Sequence, residues 1–185
     1  MTPDHTTRPA LWAATTHPDL RAAQALLYQP LGFTCSVPQK EDESEDYGAY
    51  RLEVNGLRIR FRVAKITPTK VGQFVTLWKR VGQGPIQPFD LADPVDCCVV
   101  STRSAGHMGQ FVFPKTVLAQ RDVVSHKGQG GKRAIRVYPP WDHTTSRQAH
   151  NTQAWQLDYF LDLSVDRPID LDRAAMLYSG AIRSL

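Results

Sequence analysis

The chain has little cysteine, no long apolar run and no recognisable metal or nucleotide motif, and each gap removes a class of function. Its three cysteines, Cys35, Cys97 and Cys98, are an odd number, and the adjacent pair would point to opposite faces of a strand, so no disulfide framework is expected. Thiols inside an apolar strand titrate high and are inert, which sets aside a cysteine nucleophile working with a remote histidine. There is no Cys-x-x-Cys, and His107, His126, His143 and His150 have no ligand spacing, so the sequence offers neither a metal site nor a cofactor. Apolar runs of only a few residues exclude a bilayer-spanning helix, and the first 19 residues lack the basic-then-apolar order of a secretion signal. A soluble cytoplasmic protein without membrane contact is expected. With no linker-like stretch and no internal repeat, residues 16–185 read as one domain behind a flexible tail at 1–15.

Acid is missing from the middle of the chain. The net charge of +4 resolves into 4 basic and 8 acidic groups over residues 1–53, 15 and 5 over 54–157, and 3 and 5 over 158–185. No acid occurs between Glu53 and Asp90, a pattern that suits a surface facing anions. Within that span Arg58, Arg60, Arg62, Lys65, Lys70, Lys79 and Arg80 stand out. Leu57, Ile59, Phe61 and Val63 alternate with the three arginines, the period-two pattern of a strand with one buried and one wet face, so the arginines are expected to be exposed together. Thr67-Pro68-Thr69 is a turn signal, and Gln73–Arg80 reads as a second strand.

Around this centre, Thr16 and Asp19 have capping-box spacing for a helix that runs to Gly32. The acidic run at 41–46 reads as a solvated loop. Tyr47–Val54 alternates and is followed by Asn55-Gly56, which predicts a tight hairpin pairing 47–54 with 57–65. Cys97–Ser101 reads as a strand buried on both faces and Gln110–Phe113 as another, with a short helix from Lys115 to about Arg121. A glycine-rich basic loop, 126–133, precedes a strand at Ala134–Tyr138; its His126 and Arg133 stand where a nucleotide P-loop needs glycine and Ser or Thr. Helices are expected at about 146–163 and 170–179.

Cations beside flat aromatic groups suit nucleic acid, because phosphate needs charge and unpaired bases need stacking surfaces. The candidate contacts are Arg58, Arg60, Arg62, Lys65, Lys70, Lys79, Arg80, Lys115, Lys132, Arg133 and Arg136, with Trp78 and Trp141 as stacking candidates. Gly128, Gly130 and Gly131 would let backbone amides approach a phosphate.

The strings RFRVAKITPTKVGQFVTLWKR, GQFVFPK, GGKRAIRVYPPW and TQAWQLDYF, in this order between about Glu45 and Phe160, resemble the MepB family, bacterial proteins named for a member encoded beside a multidrug efflux system. The resemblance implies an α/β (α+β) fold similar to the PD-(D/E)XK endonucleases, a central mixed sheet flanked by helices. It also implies a question about catalysis, since such nucleases place an acid on one strand and an acid-x-lysine on its neighbour to hold Mg²⁺ and activate water. Glu45 or Asp46 with Lys65, and Asp96 with Lys115, are the vestigial pairs, but Val63 and Phe113 stand where the second acid belongs. The expectation is a nucleic-acid-binding protein, with RNA or single-stranded DNA at least as favoured as duplex, on a catalytically degenerate scaffold linked to drug or stress response. The alternatives are an active Mg²⁺-dependent nuclease using Asp96 or Glu45, and an interaction module for an acidic protein.

Overall fold

Two hairpins with two-residue turns set the register of the central sheet. The computed structural model describes residues 12–180, so much of the tail expected at 1–15 lies outside the described residues. Strand β1 (Gln39–Lys40) pairs with β2 (Tyr50–Val54), which turns through Asn55-Gly56 into β3 (Leu57–Val63). Both turn residues have positive φ, 51° and 80°, the combination that matches strand twist in a tight hairpin.

Chain order then departs from the sequence reading. Instead of continuing the hairpin to residue 65, the chain leaves the central sheet after Val63, and β4 (Lys65–Ile66) joins β5 (Gln73–Thr76) and β10 (Ala134–Val137) in a separate three-stranded sheet. The strand expected at 73–80 breaks at Leu77, whose side chain is buried, and β6 (Trp78–Arg80) pairs with β7 (Ile86–Pro88) as a two-stranded ribbon. Strands β8 (Cys97–Ser104) and β9 (His107–Pro114) are longer than expected, because the two-residue turn Ala105-Gly106 joins them directly. β8 pairs in parallel with β3, which makes the six-stranded sheet mixed.

Helix α1 (Pro18–Ala23) continues through a wider π-type turn at Gln24–Tyr28. Asp19 does not close a capping box. The imidazole Nδ1 of His17 accepts the Asp19 N–H, while the buried Asp19 carboxylate accepts from Ser101 Oγ and Arg103 Nε, both at 2.6 Å. Helices α2 (Lys115–Gln120), α3 (Arg147–Leu157) and α4 (Leu171–Gly180) complete the fold. The helix expected at 146–163 stops at Leu157, and β11 (Phe160–Asp162) pairs with β9 as the sheet's edge. Gly109 permits that pairing, since a Cβ there would lie 2.2 Å from the Phe160 ring.

The sheet is covered on both faces, and this decides where the arginines go. Leu52, Ile59, Phe61, Val99 and Val112 pack with Leu20, Leu27 and Tyr178 from α1, its π-turn and α4. On the other face Cys98, Val100, Phe111 and Phe113 pack with Val75, Leu77, Leu118 and Val137 of the smaller sheet and α2. Arg60 is paired with Cys98 and Arg62 with Val100, so these two share the second face and are covered instead of pointing into open water, while Arg58 at the start of the strand keeps 44% side-chain exposure.

Candidate nucleic-acid interface

The expected exposed arginine face is a self-neutralised cleft. Arg62 retains only 1% side-chain exposure and Arg60 16%. The acidic run is a solvated loop only at Asp42, Glu45 and Asp46, which are exposed. It folds over the arginines: Glu41 Oε2 accepts from Arg62 at 2.6 Å and its Oε1 lies 3.3 Å from Arg60 Nε, while Glu43 accepts from Arg80 at 2.8 Å. Asp93 takes Lys79 at 2.5 Å, and Glu45 pairs with Lys40. The physical reason is desolvation: guanidinium groups forced against a second packed layer need counter-charges, and the nearest acids of the folded chain supply them. Trp78 lines this cleft with the Arg80 guanidinium 5.7 Å from its ring centroid. Trp141 is half-buried, stacked on His107 at 5.1 Å with its edge against Phe160, so one of its faces is already taken.

The vestigial nuclease pairs are also committed elsewhere. Asp96 accepts from the Arg58 N–H at 2.8 Å and from its guanidinium at 2.8 and 2.7 Å, and those guanidinium bonds hold its carboxyl below the usual range despite burial. Lys115 Nζ donates to the carbonyls of Leu91 and Asp93 at 2.8 and 3.0 Å. Lys65 lies over the Tyr47 ring, 4.6 Å from its centroid, and Glu45 is bound to Lys40. Among the described residues no three His, Cys, Asp or Glu side chains converge as a metal-ligating group.

The glycine-rich loop is fastened by carboxylates, so the amides expected to meet phosphate are partly spent. Asp90 accepts from the N–H groups of Gly128 and Ala92 at 3.0 Å and from Ser125 Oγ at 2.7 Å, and Asp122 accepts from the Gly131 N–H at 3.0 Å. These donors, the Gly128 and Ala92 amides first, pull the Asp90 carboxyl down to about 2. Its folded pKa lies below the ordinary 3.8, so its anchoring is present above that value and is lost as pH falls through about 2. Asp90→Asn is expected to release the loop at neutral pH, seen as several-fold faster tryptic cleavage after the exposed Lys127; an unchanged rate would mean that other contacts hold it.

A second groove carries no acid among the described residues. Lys70, Arg121, Lys132 and Arg136 line a cavity of about 600 Å³ beside β10 and α3, together with Tyr138, Thr152 and Trp155. A cavity of about 530 Å³ shares Arg121, Thr152 and Trp155 with it and adds Arg147. Among the described residues none of these five cations has a carboxylate within ion-pair distance. Arg121 lies over Trp155, 5.0 Å from the centroid, giving a flat cationic surface. Arg136 has a structural task as well, donating to Thr67 Oγ1 at 2.8 Å and the Gly72 carbonyl at 3.1 Å, which ties down the β4–β5 turn. Arg133 is exposed outside the groove lining, with its carbonyl accepting the Leu77 N–H. The structure thus brings Lys70, Lys132 and Arg136 together and adds Arg121, Arg147 and Trp155, which sequence reasoning missed. A usable signal existed: between Asp122 and Asp158 the sole acid is Asp142.

A mixed central sheet with helices packed against it and a smaller sheet across one face defines an α+β protein with one self-neutralised and one open basic cleft. The chain belongs to the MepB-like family, whose model matches residues 41–162. The crystal structure of MepB is similar at 30% identity and a TM-score of 0.68, covering 72% of this chain and 89% of that one. A bacterial homing endonuclease, I-Ssp6803I, is 15% identical with a TM-score of 0.43, covering 90% and 89%; a likeness of that size carries no argument about chemistry. No curated protein matches the chain. Among the described residues no helix is long and apolar enough to cross a membrane.

Proposed function

We propose that this protein binds nucleic acid, with a preference for single strands, through the acid-free groove between β10 and α3, on a nuclease-like scaffold and without cutting. The observation that carries this reading is the charge pairing. Cations already matched by internal carboxylates have little to gain from phosphate, whereas Lys70, Arg121, Lys132, Arg136 and Arg147 have no counter-charge among the described residues. Tyr138 and the layered Arg121–Trp155 pair favour single strands, since unpaired bases stack on flat groups that a duplex cannot reach. Binding without cleavage follows from Asp96 and Lys115, whose functional atoms are held by Arg58 and by two backbone carbonyls. On the family resemblance alone, we extend the proposal to a bacterial cytoplasmic protein acting in drug or stress response.

Fluorescence anisotropy with RNA, single-stranded DNA and duplex, all bearing 5′-hydroxyl ends, tests the reading. Affinity for single strands is expected to fall with a log–log salt slope of roughly −3, at about 0.7 per phosphate for four or so contacts. Strand length should stay unchanged after incubation with Mg²⁺. A salt-independent affinity rejects the phosphate contacts, and Mg²⁺-dependent shortening lost in Asp96→Asn promotes the nuclease alternative.

A further inference from the structure

The self-neutralised cleft is itself built like an anion site with a carboxylate sitting in it. Arg60, Arg62, Lys79 and Arg80 line a cavity of about 340 Å³ against Trp78 and Phe89; Asp93 and Glu43 hold Lys79 and Arg80, Asp42 stands exposed at the rim, and Glu41 reaches the two inner arginines. Arg62 is 99% buried on one strand of the central sheet, and its Nη1 donates to Glu41 Oε2 at 2.6 Å and to the Phe61 carbonyl at 2.9 Å. The Nε atoms of Arg62 and Arg60 are buried with no hydrogen-bond partner; the Arg60 Nε lies 3.3 Å from Glu41 Oε1, out of hydrogen-bond alignment. One carboxylate therefore spreads its two oxygens across two guanidinium groups and leaves donors on both unsatisfied. A group with more oxygens and more charge would satisfy them better.

We infer that this cleft is a phosphomonoester site, and that Glu41 is its tethered occupant in the free chain. The ligand class follows from charge. Displacing Glu41 strips the counter-charge from two guanidinium groups, one of them almost wholly buried, and an uncompensated buried charge is strongly unfavourable. A phosphodiester brings one negative charge. A monoester brings between one and a half and two at neutral pH, with three terminal oxygens, and so replaces Glu41 at both arginines. The exchange is local, because Glu41 lies in a loop between β1 and β2. Its N–H bonds the Ala49 carbonyl at 2.9 Å, Ser44 adopts a left-handed φ of 62°, and the Ser44 hydroxyl accepts from Thr76 Oγ1 at 2.8 Å. Free inorganic phosphate and the 5′-phosphate of a strand share this chemistry. The site is separate from the acid-free groove and stands or falls independently of it.

The test uses the full chain, inorganic phosphate, and one oligonucleotide sequence with either a 5′-phosphate or a 5′-hydroxyl end. In Glu41→Gln, which keeps the shape and removes the charge, melting temperature should fall in chloride and recover in phosphate at equal ionic strength by more than in the parent. Phosphate affinity should rise by about tenfold or more, since the ligand no longer competes with a tethered carboxylate. Adding Arg60→Gln to that variant should abolish the recovery. In the unsubstituted protein, saturating phosphate should speed hydrogen exchange across residues 41–49, a readout that holds even where Glu41→Gln fails to fold. Recovery with inorganic phosphate assigns a free anion as ligand, and a response only to the 5′-phosphorylated strand assigns a strand end. Responses no larger than those to matched chloride and to the 5′-hydroxyl strand, with exchange at 41–49 unchanged, overturn the inference.

Discussion

Arg62→Ala is expected to lower the unfolding free energy by about 3 kcal/mol, within the range seen when one member of a buried ion pair or a large buried side chain is removed. The size comes from geometry. The side chain is 1% exposed, contacts Glu41 at 2.6 Å, and lines the cleft together with β6 and the 41–43 loop. Truncation leaves a cavity and strips Glu41 of its closer partner. Arg51→Ala on the neighbouring strand is the control, since the Arg51 side chain is exposed and donates to Gln39 Oε1 at 2.9 Å, and it should cost about 0.5 kcal/mol or less. Urea unfolding of both variants measures the contrast. Equal, small losses would place Arg62 in water, as strand alternation alone suggests.

The second large effect falls on binding and leaves stability nearly untouched. Arg121→Glu with Lys132→Glu should weaken single-strand binding by about 100-fold or more, because charge-assisted hydrogen bonds contribute about 1.5–3 kcal/mol each and reversal adds repulsion. Both side chains are exposed and neither is paired with a carboxylate among the described residues, so the fold should tolerate the change. Neutralising Lys79 and Arg80 together should cost far less with a 5′-hydroxyl strand, since Asp93 and Glu43 already satisfy them. The comparison has to be made at one salt concentration, because net charge changes in both cases.

Local pattern carried part of this architecture and none of its charge pairing. The β2–β3 hairpin was legible because Asn55-Gly56 and clean alternation agree, and β8 read as doubly buried because Cys97–Val100 is an unbroken apolar run. Strand β11 was not legible: three residues after a helix carry no period, and pairing with β9 across Gly109 creates the strand. The arginine parity was right, but alternation cannot say whether the second face meets water or another layer. The acid run at 41–46 meets arginines some 20 to 40 positions away, and only the folded chain brings them together. The groove has the same character. Lys70 and Arg147 are distant in sequence and come to line two adjoining cavities, joined at Arg121, Thr152 and Trp155, through the β5–β10 pairing and the packing of α3 beside it. What the sequence did show there was the scarcity of acid on both flanks.

In the proposed binding mode unpaired cations, and not those already matched by carboxylates such as Lys79 and Arg80, meet the nucleic acid. The salt slope of single-strand binding tests this most directly, compared among the parent, Arg121→Gln/Lys132→Gln/Arg147→Gln, and Lys79→Gln/Arg80→Gln. The account predicts that the first variant flattens the slope by about 2, near 0.7 for each phosphate that is no longer neutralised, while the second leaves it unchanged. A slope that flattens in the second variant and holds in the first would contradict it.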